Sequence, residues 1–355
     1  MAYPSLSGWA IVLLGDNSPP ETRRNEDGNL RRYFAFIAAL FVVFNLSAAR
    51  AGSVLDRIKA QGVVRCGGEP RPGLVGVRPD GRATGLYLDV CRAIAAAVLG
   101  SNGRLEFHQY DSSKAYDAVR NGSDDVYFLS GAEILEEGLA GKVLPGPPVF
   151  YETTAVMVAD KSQVQRLADL AGKPICFSLG SNAERHLEAW FAAHRLDFNH
   201  LGYQEDVELY DTYNVQVCRA LAAEITTLAE VRLDGGVNNL RSRILPEPLA
   251  VFPIVAATGT QDAEWSAIVA WVVHTLVRAE IPAVKWTASG LDSLRIPAAE
   301  LHLDKDWQRR VIDAVGTYGD IYDRNLGQGS PYKLPRGVNN ASLHAGGLLI
   351  APYLD

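Results

Sequence analysis

Basic residues are in the minority, cysteine is scarce and no apolar stretch is long, and each shortage removes a class of function. The 355 residues carry 34 Lys and Arg against 41 Asp and Glu, a formal net charge of −7. A general nucleic-acid binder needs a basic face, which this balance does not supply. No Lys/Arg cluster outside the N-terminal region is large enough to hold an anionic membrane surface. The four cysteines, Cys66, Cys91, Cys176 and Cys218, include no CxxC pair and have no histidine at ligand spacing, which argues against zinc or any other metal. No nucleophile with a paired histidine is recognisable, and His186 and His194 fall eight residues apart on one predicted helix, too far for a ligand pair. No internal repeat or low-complexity stretch occurs. These absences point away from an enzyme, and no cofactor is implied.

What is present suits two ordinary α/β domains, since 48% hydrophobic residues fill two cores in a chain of this length. Arg31 and Arg32 precede the apolar run 33–46, too short to cross a bilayer comfortably, and Ala49 and Ala51 follow at cleavage-site spacing. This pattern predicts a secretory signal peptide cut after Ala51 and a periplasmic protein; an uncleaved anchor is the other reading. Arg31-Arg32 with Phe34 also has the look of a weak twin-arginine signal. Residues 1–28 lie upstream of a complete signal and read as an overextended translation start.

All four cysteines follow the cleavage site, and an even number in an exported chain reads as disulfides. The sequential pairs Cys66–Cys91 and Cys176–Cys218 would each close a loop inside one lobe, stabilising it by about 3–4 kcal/mol. Four buried free thiols are the alternative.

Along the mature chain, helix and strand alternate. The pattern predicts a helix over 53–61 stopped by Gly62, a strand over 63–66, a stretch 86–91 leading into an alanine-rich helix over 92–99, a strand at 105–107, a helix over 114–120 and a strand over 125–129. That order implies a mostly parallel sheet covered by helices. The rhythm restarts near residue 151, with strands at 155–158 and 174–178, helices over 165–170 and 182–194, and a helix-to-strand passage across 211–223. The proline-punctuated stretch 246–254 reads as a return linker, 264–278 as a long amphipathic helix and 330–355 as an irregular tail. The domains are therefore 1–51 (extension and signal), 52–150 (lobe 1), 151–248 (lobe 2) and 249–355 (return to lobe 1 and tail).

Several segments in register resemble the general L-amino-acid-binding proteins that serve ABC uptake transporters in alphaproteobacteria. They are the runs 54–67 (VLDRIKAQGVVRCG) and 89–100 (DVCRAIAAAVLG), Cys176 and Cys218, 303–307 (LDKDW), 315–331 (VGTYGDIYDRNLGQGSP), Arg336-Gly337 and 346–352 (GGLLIAP). The resemblance runs from about residue 53 to the end. It implies a type II periplasmic-binding-protein fold, two α/β lobes joined by two crossover segments, near Phe150-Tyr151 and 246–249. Ligand is held in the cleft and closes it like a hinge. The implied partners are a small-molecule ligand and an inner-membrane ABC permease, and the implied state is a monomer.

The family's cleft needs groups for a carboxylate and an ammonium. Its arginine clamp follows the lobe 1 strand and Ser130, where this chain has Glu137 or its neighbour Glu136, a charge reversal worth several kcal/mol against an anionic head group. Leu74 stands where the family has a stacking aromatic ring. Arg71 is a substitute clamp, or else a solvated loop arginine, and Glu69 lies beside it. Gly180, Ser181 and Asn182 match the family's anion-binding turn, though Ser181 or Asn182 also makes a plain N-cap. Counting from Cys218, Glu224 takes the place of the ammonium-binding aspartate, against the alternative of a surface glutamate. Tyr151 lines the cleft or packs the hinge. An acidic cleft favours an amine-bearing or cationic ligand. The expected function is the substrate-binding component of an ABC-type amino-acid or related uptake system. The alternative is a binding-fold accessory or sensory protein that no longer binds amino acids.

Overall fold

The computed structural model describes residues 54–77, 83–100, 103–110, 115–130, 141–236, 238–280, 286–287, 290–291, 298–341 and 346–352. The predicted signal peptide and the segment 131–140, with Glu136 and Glu137, lie outside the described residues.

Helix α1 (Val54–Gln61) buries Leu55 and Ile58, and stops at Gly62, whose φ of +67° lies in the left-handed region that favours glycine. Strand β1 (Val63–Gly68) follows, then the small hairpin β2 (Gly76–Val77) and β3 (Ala83–Thr84). Helix α2 (Leu86–Leu99) begins at Leu86, six residues before the expected start. The cause is packing: Leu86 through Val98 is buried except at Arg92, so no polar stripe marks where the helix begins. Gly85, at φ 136°, brings the chain so close to Leu74 that a Cβ there would meet its carbonyl oxygen at 2.1 Å.

Strand β4 (Arg104–Gln109), helix α3 (Ala115–Arg120) and strand β5 (Val126–Ser130) complete the first α/β unit. The long strand β6 (Val143–Ala159) carries the chain into the second, made of β7 (Pro174–Ser178), α4 (Asn182–Ala193), β8 (Asn199–Tyr203), α5 (Asp206–Asn214), β9 (Ala220–Glu224), α6 (Ile225–Asp234) and β10 (Ser242–Ile244). Strand β11 (Ala250–Gly259) returns, followed by α7 (Ala263–Arg278), the β12–β13 hairpin (Trp286–Thr287, Gly290–Leu291), α8 (Trp307–Val315) and α9 (Tyr318–Asn325).

Nine strands form one mixed sheet in the order β4-β1-β5-β11-β6-β9-β7-β8, with β10 also on β6. The β4-β1-β5 end and the β9-β7-β8 end are each parallel. Between them β6 and β11 run antiparallel from Val143↔Gly259 to Ala250↔Thr154. These are the two crossover segments, and they make the sheet continuous through both α/β lobes. The stretch expected as a linker is therefore largely strand from Ala250 onward. Pro253 faces Tyr151 and lies just outside the residues paired with β5, so its missing N–H removes no bond to that strand.

The lobe 1 core gathers β1, α2, α7, α8 and α9 around Trp265, Trp307, Tyr318 and Tyr322. The indole N–H of Trp265, fully buried, donates to the Asp125 carbonyl at 2.8 Å. In lobe 2 the period-two alternation of strands feeds two layers. Val156, Ile175 and Phe177 pack with Leu187 and Phe191 of α4 on one face, and Met157, Cys176 and Leu221 with Leu209 of α5 and Leu228 of α6 on the other. Two disulfides form, Cys66–Cys91 between β1 and α2 (Cα–Cα 6.5 Å) and Cys176–Cys218 between β7 and the approach to β9 (5.7 Å).

The tail packs on the body. Arg336 makes two 3.0 Å bonds to the Glu280 carboxylate and lies over the rings of Tyr318 and Tyr322. Asn339 grips the crossover itself: its Oδ1 accepts from the Tyr151 N–H at 2.7 Å and its Nδ2 donates to the Tyr151 carbonyl at 2.9 Å.

Candidate functional site

One carboxylate sits inside the crossover. Glu152, on β6 next to Tyr151, is fully buried; one oxygen accepts from Thr226 Oγ1 at 2.8 Å and the other from the Thr153 N–H at 3.0 Å. Thr226 opens α6 in lobe 2, so this acid ties the hinge strand to the second lobe. From lobe 1, the loop after β1 brings Arg71, whose Nη2 donates to Glu69 Oε2 at 3.0 Å. Burial raises the pKa of Glu152 to about 7, against the pull of Arg71, the Thr153 N–H and Thr226, with Glu224 adding to the rise. Burial also works against the charge of Arg71, but Tyr87, Glu152, Glu69 and Glu224 outweigh it and hold the guanidinium protonated, above its ordinary range.

Glu224 closes the group from lobe 2. It is the last residue of β9, registered opposite Thr154 of β6, and precedes the first turn of α6 without capping it by its side chain. Its charge reaches Arg71, Glu152, His186 and Tyr210. His186 on α4 is 2.8 Å from the buried Thr154 hydroxyl through Nδ1. Burial, then Arg185, lowers the His186 pKa against the opposing pull of Glu224. Tyr210 is raised to about 12 by burial and by Asp206, Glu230 and Glu224. One arginine thus pairs with Glu69 of lobe 1 and feels the charges of two more carboxylates, Glu152 of the crossover and Glu224 of lobe 2. The surplus is negative.

The other residues singled out from the sequence fall in different places. Leu74 is fully buried in the lobe 1 core, with Val75 and Leu86. Ser181 caps α4, accepting from the Glu184 N–H at 3.2 Å. The Gly180 N–H donates to the Glu184 carboxylate at 2.6 Å, and Asn182 Oδ1 accepts from Arg185. The chain's own Glu184 therefore occupies the position an anion would take at this helix start. Tyr151 is half-buried against the lobe 1 core, and burial raises its phenol pKa. Ser130 ends β5, paired with Ile254. Glu137 and Glu136 lie outside the described residues.

Sequence reasoning passed over Glu152, Thr154 and Thr226. The signal was a polar triplet, Glu152-Thr153-Thr154, set in the apolar run from Val149 to Ala159. A buried strand carries polar residues in its middle only where something on its flank satisfies them.

No family model matches the chain. It is 29% identical over 338 residues to the general L-amino acid-binding periplasmic protein AapJ of Rhizobium johnstonii, covering 90% of this chain and 97% of that one. It is 27% identical over 344 residues to the glutamate/glutamine/aspartate/asparagine-binding protein BztA of Rhodobacter capsulatus, covering 90% and 98%. Among solved structures, an ABC-transporter periplasmic binding protein from Brucella ovis with glutathione bound matches with a TM-score of 0.68 at 25% identity, over 85% of this chain and 99% of that one. An ancestral cationic amino acid solute-binding protein matches with a TM-score of 0.51 at 18% identity, over 64% and 94%. The fold is that of the type II solute-binding proteins, and the relatives are amino-acid-binding periplasmic proteins of ABC transporters.

Proposed function

We propose that this protein is the periplasmic substrate-binding component of an ABC-type uptake system, closing its two lobes on an amine-bearing ligand of the amino-acid class. The observation that carries the reading is the Arg71–Glu69 ion pair at 3.0 Å, with the buried Glu152 of the crossover strand and Glu224 at the end of β9 within electrostatic reach of the same guanidinium. A ligand ammonium is matched to Glu224 and Glu69, and a ligand carboxylate to the Arg71 guanidinium. Because Glu69 and Arg71 belong to one lobe and Glu224 to the other, such a ligand touches both walls only when they approach, which is the differential contact that drives closure.

The relatives support the class. One is named for L-amino acids in general, another for acidic and amide amino acids, and the Brucella ovis structure holds glutathione. All of these ligands carry an ammonium. The negative surplus here favours cationic ligands, so arginine and ornithine are expected to bind ahead of glutamate. An inner-membrane permease is the corresponding partner. The disulfides suit the oxidising periplasm to which the relatives belong.

Titration calorimetry with arginine, ornithine and glutamate tests the reading. Binding in the micromolar range is expected for the cationic pair. Glu224→Gln weakens it about tenfold or more, the worth of one charge-assisted hydrogen bond. Silence of the protein across a panel of all common amino acids overturns the transport reading and leaves the accessory one.

A further inference from the structure

Beside the acid–arginine group lies a cavity of about 620 Å³. Arg71 belongs to both, so the cavity adjoins the acid–arginine group at one side chain. Its walls come from both lobes: Arg71 and Gly76 from the loop and hairpin after β1, Glu230 from α6, and Arg324, Asn325 and Tyr332 from α9 and the tail. The tail reaches α6 directly, since Arg232 donates to the Tyr332 carbonyl.

The volume and the charges decide what fits. Cavities of about 300–1,000 Å³ take ligands of drug size, well beyond a free amino acid. Arg324 already gives Nε to Asp89 at 2.8 Å and one terminal nitrogen to the Val315 carbonyl at 2.7 Å, which holds its guanidinium in place at the cavity edge. Glu230, exposed on α6, also lines the cavity and acts on Tyr332 and Tyr210. A cation and an anion therefore line the space beyond Arg71, which suits a second residue that carries a free carboxylate and a basic side chain. We propose that this cavity is a second subsite, and that the protein takes a short peptide whose first residue occupies the acid–arginine group and whose second occupies the space between Arg324 and Glu230. The inference rests on the binding reading above and names the substrate class of that site.

Gly76 supplies the test. It lies in a strand outside the left-handed region, and a Cβ there meets no atom within 4 Å, so a side chain is added without backbone strain. Titrations of L-arginine, L-alanine and L-alanyl-L-arginine are compared on the wild type, Gly76→Phe and Glu230→Gln. The dipeptide is expected to bind the wild type at least tenfold more tightly than either amino acid. Gly76→Phe should remove most of that advantage and Glu230→Gln about three- to tenfold of it, with arginine affinity unchanged in both. If arginine binds and the dipeptide gains nothing, the second subsite is overturned while the binding function stands. If the dipeptide's advantage survives both substitutions, the cavity is not where the second residue lies. If neither amino acids nor the dipeptide bind, both readings fall together.

Discussion

Glu152 concentrates the chemistry of the crossover in one side chain. Its folded-state pKa of about 7 stands above its ordinary 4.5, so between those values the folded chain binds the extra proton. The stability that this protonation contributes is fully present below pH 4.5 and is lost as pH rises through 7, with a slope of at most about 1.4 kcal/mol per pH unit. Denaturant unfolding of wild type and Glu152→Gln at a series of pH values should show the difference between them changing across that window and flat outside it. A constant difference would mean that Glu152 titrates alike in the folded and unfolded chain. The sequence signalled this residue only as an acid in an apolar run. Nothing local told that Thr226, 74 residues on, would satisfy it.

At the scale of elements, the crossover strands are where sequence and structure part. The N-terminal part of β6 contains Pro145, Pro147 and Pro148, which break the alternation that marks a strand, and only its end, 155–158, was legible. The ladder accommodates them by register shifts near Val255, where Pro148 pairs with Val255 and Pro145 with Ala257, leaving Pro147 unpaired. Strand β8 (NHLGY) has an exposed edge composition, and α6 is buried at Thr226, Leu228, Ala229 and Val231 with no clean apolar stripe, so neither announced itself. The tail's grip on the crossover is equally invisible from sequence. Asn339→Ala removes both bonds to the Tyr151 backbone and should cost about 1–3 kcal/mol, with faster amide exchange at Tyr151 and unchanged exchange in α2. Unchanged exchange at Tyr151 would show that the tail does not hold the hinge.

For the whole molecule, the two bridges are each contained within one lobe, so each braces one core. Replacing Cys176 and Cys218 together by alanine should lower the unfolding free energy by about 3 kcal/mol, measured by denaturant titration, while leaving ligand affinity in place. A loss of affinity with no loss of stability would tie the bridge to the cleft instead.

The sequence by itself determined the α/β alternation, the glycine stops, the even set of cysteines and a family likeness running to the last residues, because these are local or compositional properties. Only the tertiary structure decided which acids share an arginine. Glu69, Glu152 and Glu224 lie far apart along the chain, and what brings them together is the pairing of β6 with β9 and β11, a long-range register that no window of sequence contains. The structure also turned Leu74 inward and closed the start of α4 with its own Glu184, since burial and capping depend on neighbours that folding supplies.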